Sequence, residues 1–323
     1  MDEKKLRIVF MGTPDFAVNT LDMLFTNGYN IVGVVTVPDK PSGRGKKIQE
    51  SAVKSFAKQH HLNIFQPDNL KDEGFVNNLK QLQPDLQIVV AFRKLPEIVW
   101  SLPKYGTFNL HASLLPQYRG AAPINWAIIN GETTTGVTTF FINNIIDSGN
   151  IIFYDKVDIL PSDTFGELHD KLMKAGATIV MKTISAISSN TINPIKQETY
   201  NILNENIKIA PKIFKTDCRI NWTKSASDII NFIRGLNPYP TAFMELSSPT
   251  SEKYTLKVFG SHIVNEETLC VPGSINTNGK TFLNVSCSDG WISIDHLQLM
   301  GKKDMNIDQF LRGFPIMNQW KAL

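Results

Sequence analysis

Short apolar runs alternate with longer amphipathic stretches through the first part of the chain. "RIVFM" from Arg7, "IVGVVTV" from Ile31, "QIVVA" from Gln87 and "GTFNLHA" from Gly106 are rich in β-branched or aromatic residues. Between them lie helical patterns, one opened by Thr13 and Pro14 and one starting near Glu50. Apolar strands separated by helices predict a Rossmann-like, mostly parallel α/β sheet with helices on both faces. "AAPINWAIINGE" has Pro123 at a first helical position and Gly131 at the stop, which predicts a helix of about two turns. "GVTTFFI" and "NIIFYDKVDI" read as strands. "SDTFGELHDKLMKAGATIVMKTISAI" follows as a long amphipathic helix, its start marked by Ser162 and Asp163.

Ser, Asn and Pro in "SSNTINPIKQETYNILNENIKIAPK" interrupt that rhythm. The expected division is a first domain over 1–190, a linker over 191–207 and a second domain over 208–323. In the second, a helix near Ala226 to Leu236 precedes the short runs "YTLKVFG", "TFLNVSC" and "WISIDHLQL", separated by Gly, Asn and Asp turns. That spacing predicts a smaller β-barrel or sandwich.

Composition narrows the function classes. The 323 residues carry a formal charge of +3, and the excess lies in 206–323, with 13 Lys/Arg against 10 Asp/Glu; the residues before them carry 20 of each. This is well short of a dedicated nucleic-acid binder's basic stripe, although local clusters still count. Cys218, Cys270 and Cys287 are widely separated, without a C-x-x-C pair, so neither a disulfide framework nor a zinc site is expected. The start "MDEKKLRIVFMG" resembles neither a signal nor a transit peptide, and no apolar window reaches the ~18 to 20 residues of a membrane span. A soluble cytoplasmic protein with no membrane partner is expected.

The candidate chemistry sits in "FNLHASLLPQYRGAAPINWAIINGE". Strand alternation points Asn109 and His111 to one side and Phe108 and Leu110 to the other. Ligands of open α/β sheets bind beyond the carboxyl ends of the strands, where His111 falls. The next segment has no strand or helix period and suits a fixed, close-approach loop. Asp147, in "NNIIDSGNII", reads as a turn residue between two strands. An amide, an imidazole and a carboxylate could support acyl transfer with no metal: Asn109 donating to an oxyanion, His111 moving a proton, Asp147 steadying the ring. Ser113 lies outside a G-x-S-x-G setting, so direct attack by a substrate amine fits better than a covalent intermediate. "MGTPDFA" is not G-x-G-x-x-G and no P-loop is present, which disfavours a nicotinamide dehydrogenase and a P-loop phosphotransferase.

Asn109-x-His111, "SLLPQYRGAAPINWAI" and "GVTTFFINNIIDSG" together resemble the folate-dependent formyltransferase family. The resemblance implies catalytic roles for Asn109, His111 and Asp147, and a 10-formyltetrahydrofolate donor site lined by Ser113, Leu114, Leu115 and Pro116. "RIVFMGTPDFAV" and "PDKPSGRGKK" are similar to family members whose acceptor is initiator methionyl-tRNA, which implies that formylmethionyl-tRNA is made for translation initiation. Lys40, Arg44, Lys46 and Lys47 would then meet tRNA phosphates, the glycines letting the backbone bend to the ligand. "APKIFKTDCRINWTKSASDIINFIRGLNPYP" and "GKKDMNIDQFLRG" are similar to the C-terminal OB-like β-barrel of those members, and a monomer is expected. A formyltransferase acting on an amino sugar nucleotide is the closest rival. Two departures stand out: "VVAFRKLP" carries Phe92 and Arg93 with one residue fewer than usual, and Asn150 replaces the usual Asp after the turn.

Overall fold

The computed structural model describes residues 2–42, 47–199, 206–264 and 270–323. Two compact units form. The first holds Met1–Pro123, Thr134–Asp158 and His169–Ala210; the second holds Ile124–Thr133, Ile159–Leu168 and Pro211–Leu323.

The strands of the first unit are β1 (Ile8–Gly12), β2 (Ile31–Val35), β3 (Lys40–Ser42), β4 (Lys47–Gln49), β5 (Ile64–Phe65), β6 (Leu86–Val90), β7 (Thr107–His111), β8 (Arg119–Gly120), β9 (Thr134–Phe141), β10 (Ile151–Asp158) and β11 (Ile209–Ala210). Seven of them make one sheet in the order β10-β9-β7-β6-β1-β2-β5. The five from β7 to β5 run parallel, whereas β9 and β10 add antiparallel ribbons at one edge. β1 and β6 are buried along their whole length, as expected of central strands whose sequences show no alternation.

The two faces are filled differently. Val9, Met11, Val35 and Val89 pack in one cluster with Phe75, Val76 and Leu79 of the helix Glu73–Gln81 and with Val99 of the helix Glu97–Trp100. On the other face Gly176, in the long helix Phe165–Ser188, lies so close to Leu110 that a Cβ there would meet its side chain at 2.7 Å. The Thr139 and Thr183 hydroxyls, 2.9 Å apart, tie the same helix to β9. The chain leaves β1 toward β2 and β5 and then returns to β6 on the opposite side of β1. Loops at the carboxyl ends of β1 and β6 therefore diverge, which creates the crevice where such sheets take ligands. β7 stands next to it.

The second unit contains β12 (Ala242–Ser247), β13 (Lys253–Val264), β14 (Ile275–Thr277), β15 (Leu283–Ser286), β16 (Trp291–Leu299), β17 (Asp304–Asn306) and β18 (Lys321–Ala322). They pair in the order β14-β15-β16-β13-β12-β18, with β17 on β16. Burial alternates strictly along β12, so its inward residues Ala242, Met244 and Leu246 meet Leu256, Val258, Ile292 and Ile294 in one core. The sheet closes on itself where Ser274 bridges Lys321 and the Ala322 N–H donates to the Gly273 carbonyl at 2.8 Å. Gly273 has φ +88°, and a Cβ there would lie 2.2 Å from the Ala322 oxygen. Closure removes the open edges that a six-strand ribbon would expose. The helix Ala226–Gly235 caps this core through Ile229 and Ile233, and Asn125 donates to the Gly235 carbonyl at 2.8 Å. Among the described residues, no helix is long and apolar enough to cross a membrane.

The start of the long helix differs from the sequence expectation. It begins at Phe165, and Thr164 and Glu167 bond reciprocally: the Glu167 carboxylate accepts from the Thr164 N–H at 2.7 Å, and the Thr164 hydroxyl accepts from the Glu167 N–H at 3.4 Å. Asp163 instead turns back to accept from the Leu160 N–H at 2.7 Å, which stabilises the preceding loop. A capping box needs its acceptor three residues before the glutamate, and that position is Thr164. Thr164→Ala should cost about 1 kcal/mol, read as a lower denaturant midpoint with an unchanged slope; no change would show that the box contributes nothing.

Candidate functional site

β7 delivers two polar side chains to one face. Asn109 pairs in register with Val89 and Phe140, and His111 with Thr138, while Leu110 faces the long helix. Asn109 is partly buried, and its carbonyl oxygen Oδ1 is buried with no hydrogen-bond partner among the described residues. An orphaned buried acceptor costs free energy, and a bound ligand's donor would relieve that cost.

His111 is 7% exposed. Its Nε2 lies 2.9 Å from the Tyr118 carbonyl oxygen. A carbonyl can only accept, so the hydrogen of a neutral ring sits on Nε2 and the lone pair on Nδ1. Nδ1 faces Asp147 Oδ2 at 3.9 Å. That is too long for a hydrogen bond but close enough to stabilise a proton arriving on Nδ1. The proposed amide, imidazole and carboxylate are thus gathered at one end of the sheet.

The loop after β7 is held by its own backbone. The Ser113 hydroxyl is fully buried and donates to the Gln117 carbonyl at 2.6 Å, and Thr138 donates to the Ser113 carbonyl at 2.6 Å. The Leu115 N–H donates to Thr138 Oγ1 at 3.2 Å, and the Leu115 side chain packs on Phe140 and Ile151. Leu114 is partly buried against β9 at Gly136, and Pro116 is buried. Of the four residues expected at the donor site, Ser113, Leu115 and Pro116 therefore have their side chains turned into the protein. Further on, Tyr118 bonds to Lys208, and β8 pairs with β11. At Gly120, φ is +128° and a Cβ would lie 2.3 Å from the Ala210 oxygen, so only glycine fits.

Asp147 occupies the left-handed region with φ +52°. Its Oδ2 accepts from the Gly120 N–H at 3.0 Å, which aims the carboxylate toward the ring. Gly149 follows with its α-carbon against the end of β9, since a Cβ would fall 1.6 Å from the Phe141 oxygen. Beneath the turn lies Gln197, in the segment expected to be a linker. It is fully buried and bonds to Asp147, Gly149 and Arg119. Its Ser-, Asn- and Pro-rich surroundings carry no periodic signal that would mark it.

The basic segment has a defined base. β3 and β4 pair as antiparallel strands, and Asp39 just before them accepts from Lys54 and, at 2.8 Å, from Gln66. Lys40 is exposed. Arg44 and Lys46 lie outside the described residues, and Lys47 is described only through its backbone pairing with Ser42. Near the β1/β6 crevice, Arg93 donates to the carbonyls of Pro67 and, at 2.8 Å, of Asp68. Burial lowers the pKa of its guanidinium. Arg93 thus ties the loop after β6 to the residues beyond β5. Among the described residues, no cluster of three or more His, Cys, Asp or Glu side chains is placed to hold a metal ion.

Comparison with known proteins is consistent along the chain. Residues 6–184 match the formyl transferase family, and residues 212–315 match the formyl transferase C-terminal domain. A methionyl-tRNA formyltransferase of Bacteroides thetaiotaomicron is 51% identical over 321 residues, covering 99% of both chains. One from Flavobacterium johnsoniae is 48% identical over 320 residues, again covering 99% of both. Two solved structures share the fold. A sugar 3N-formyl transferase solved with dTDP and 5-N-formyl-THF has a TM-score of 0.63 at 24% identity, covering 92% of this chain and 99% of its own. An N-formyltransferase of Helicobacter canadensis, in complex with folinic acid and dTDP-3-aminofucose, has a TM-score of 0.62 at 23% identity, covering 90% and 98%.

The Asp39 anchor gives a pH dependence. Hydrogen bonds from Lys54 first, and then from Gln66, lower the Asp39 pKa. A depressed carboxyl pKa stabilises fully above the ordinary aspartate value of about 3.9, and that stabilisation is lost as pH falls through the depressed value. Hydrogen-exchange protection of the Val37, Asp39 and Lys40 amides should drop below about pH 4 in the parent protein, and in Asp39→Asn it should be low at every pH. Equal protection in the two proteins at pH 7 would count against the anchor.

Proposed function

This chain belongs to the formyl transferase family, and we propose that it transfers a formyl group from 10-formyltetrahydrofolate to the α-amino group of methionyl initiator tRNA. Formylmethionyl-tRNA for translation initiation is the product. The observation that carries the chemistry is the His111 ring, its Nδ1 left basic by the Tyr118 carbonyl and turned toward Asp147. The acceptor assignment rests on roughly half identity, end to end, to methionyl-tRNA formyltransferases.

In the reaction, the methionyl amine nitrogen bonds to the formyl carbon, whose carbonyl oxygen becomes an oxyanion. The Asn109 carboxamide donates to that oxyanion through Nδ2 while its Oδ1 remains free to accept a ligand's N–H. His111 Nδ1 takes the amine proton, and Asp147 stabilises the imidazolium that results. Collapse of the intermediate breaks the bond between the formyl carbon and N10, and the proton held on His111 passes to N10, which restores the neutral ring. Backbone groups of Ser113 to Pro116 and the Leu114 side chain border the donor, since the Ser113 hydroxyl is already engaged. Lys40, Arg44, Lys46 and Lys47 meet the acceptor's phosphates. The first unit, which takes in Gln197 from the segment expected as a linker, is the catalytic part and the second unit is the tRNA-contacting part, in a monomer acting in the cytoplasm.

An acceptor screen tests the reading: protein, labelled formyl donor, and methionyl-tRNA beside amino sugar nucleotides. Label should appear on the tRNA; label only on a sugar nucleotide would overturn the assignment. His111→Ala should lower kcat by about 10² to 10⁴ and Asn109→Ala by about 10² to 10³, with tRNA still bound; near-normal turnover would sink these roles. Arg44→Ala should raise KM for methionyl-tRNA without changing KM for the donor, and should reduce the slope of log affinity against log salt by about 1. An equal loss on both substrates would argue against phosphate contact by this segment.

A further inference from the structure

The Asp147 turn and the loop after β7 meet through one side chain outside both. Gln197 is fully buried. Its Nε2 donates to the Asp147 carbonyl at 3.0 Å and to the Gly149 carbonyl at 2.8 Å. Its Oε1 accepts from Arg119 Nε at 3.0 Å and from Arg119 Nη2 at 2.6 Å. Both amide hydrogens and both carbonyl lone pairs are used, so the amide has one workable orientation. Nearby, the Ile151 and Ile195 backbones exchange two hydrogen bonds of 2.8 Å, which fastens this segment to the start of β10.

These bonds complete a ring of contacts. His111 Nε2 bonds to Tyr118; Arg119 and Gly120 follow in sequence; Arg119 reaches Gln197; Gln197 holds Asp147; and Asp147 returns to Gly120 and faces His111 Nδ1. Asp147 is a non-glycine residue with positive φ, a conformation that persists where its surroundings over-determine it. Gln197 supplies that determination from below.

We propose that Gln197 is a positioning residue for the transfer reaction, fixing the Asp147 carboxylate opposite His111 by clamping the turn to Arg119. The role rests on the formyl-transfer reading above, but the geometric claim can be read without it. Gln197→Glu keeps the length and the Arg119 contact yet faces two carbonyl oxygens with no hydrogen to offer. The turn should shift, and kcat should fall about 10 to 10² with both KM values within about twofold, as expected when a reacting group is misplaced. Gln197→Met, which has no strong hydrogen-bonding group, should give the same split. Because the effect runs through Asp147, Gln197→Glu combined with Asp147→Asn should be no slower than Asp147→Asn alone; multiplied losses would overturn the proposal. In the same folded variants, the Gly120 amide, whose acceptor is Asp147 Oδ2, should lose hydrogen-exchange protection. Unchanged Gly120 protection would overturn it as well. Should the parent protein transfer no formyl group to any acceptor, the functional reading fails, and the Gly120 exchange result alone decides whether Gln197 holds the turn.

Discussion

The site depends on one hydrogen bond, from His111 Nε2 to the Tyr118 carbonyl. It decides which ring nitrogen is basic and where that nitrogen points. The bond exists only because the loop after β7 doubles back, so that residue 118 returns to the strand end that carries residue 111. Three features force the return: Thr138 bonding the loop at Ser113 and Leu115, Tyr118 bonding to Lys208, and Gly120 fitting against Ala210 where no Cβ is tolerated. The polar chemistry is thus set by backbone accounting: every loop amide that finds a partner removes one way for the ring to turn.

The sheet explains why the functional groups lie where they do. Parallel strands finish on the same edge, and the order reverses between β1 and β6, so that a crevice opens beside β7. β9 then arrives antiparallel and lays Thr138 beside His111 and Phe140 beside Asn109. β9 ends at Phe141 beside Phe108, and the segment after it folds back until Asp147 faces His111. An all-parallel sheet would need a crossover helix at this point and could not bring that turn so close.

Much of this was legible in the sequence, for physical reasons that can be named. Asn109 and His111 share a face because side chains alternate along any strand, and Asp147 in Asp-Ser-Gly reads as a turn because those residues tolerate it. The cap lies at Thr164, one residue past Asp163 and two past Ser162, since Asp163 satisfies the Leu160 amide instead and only the Glu167 spacing marks Thr164. Gln197 was missed because its importance is tertiary. Nothing in "NPIKQET" announces that a glutamine will be fully buried beneath a turn about fifty residues earlier. Barrel closure through Gly273 and Ala322 was hidden in the same way: β18 is two residues long, too short to show a period.

The choice of an amide at position 197 also follows from its surroundings. The pocket presents two carbonyl acceptors on one side and guanidinium donors on the other. A carboxylate would satisfy only the guanidinium, and a lysine only the carbonyls, each leaving buried groups unpaired. A carboxamide is the one side-chain group with two donors and an acceptor oxygen at opposite corners of a plane, and glutamine reaches further than asparagine. It adds no formal charge near Asp147 and His111. The spacing of the carboxylate and imidazole is thus held by a neutral amide, with the Arg119 guanidinium bonded to the amide's oxygen.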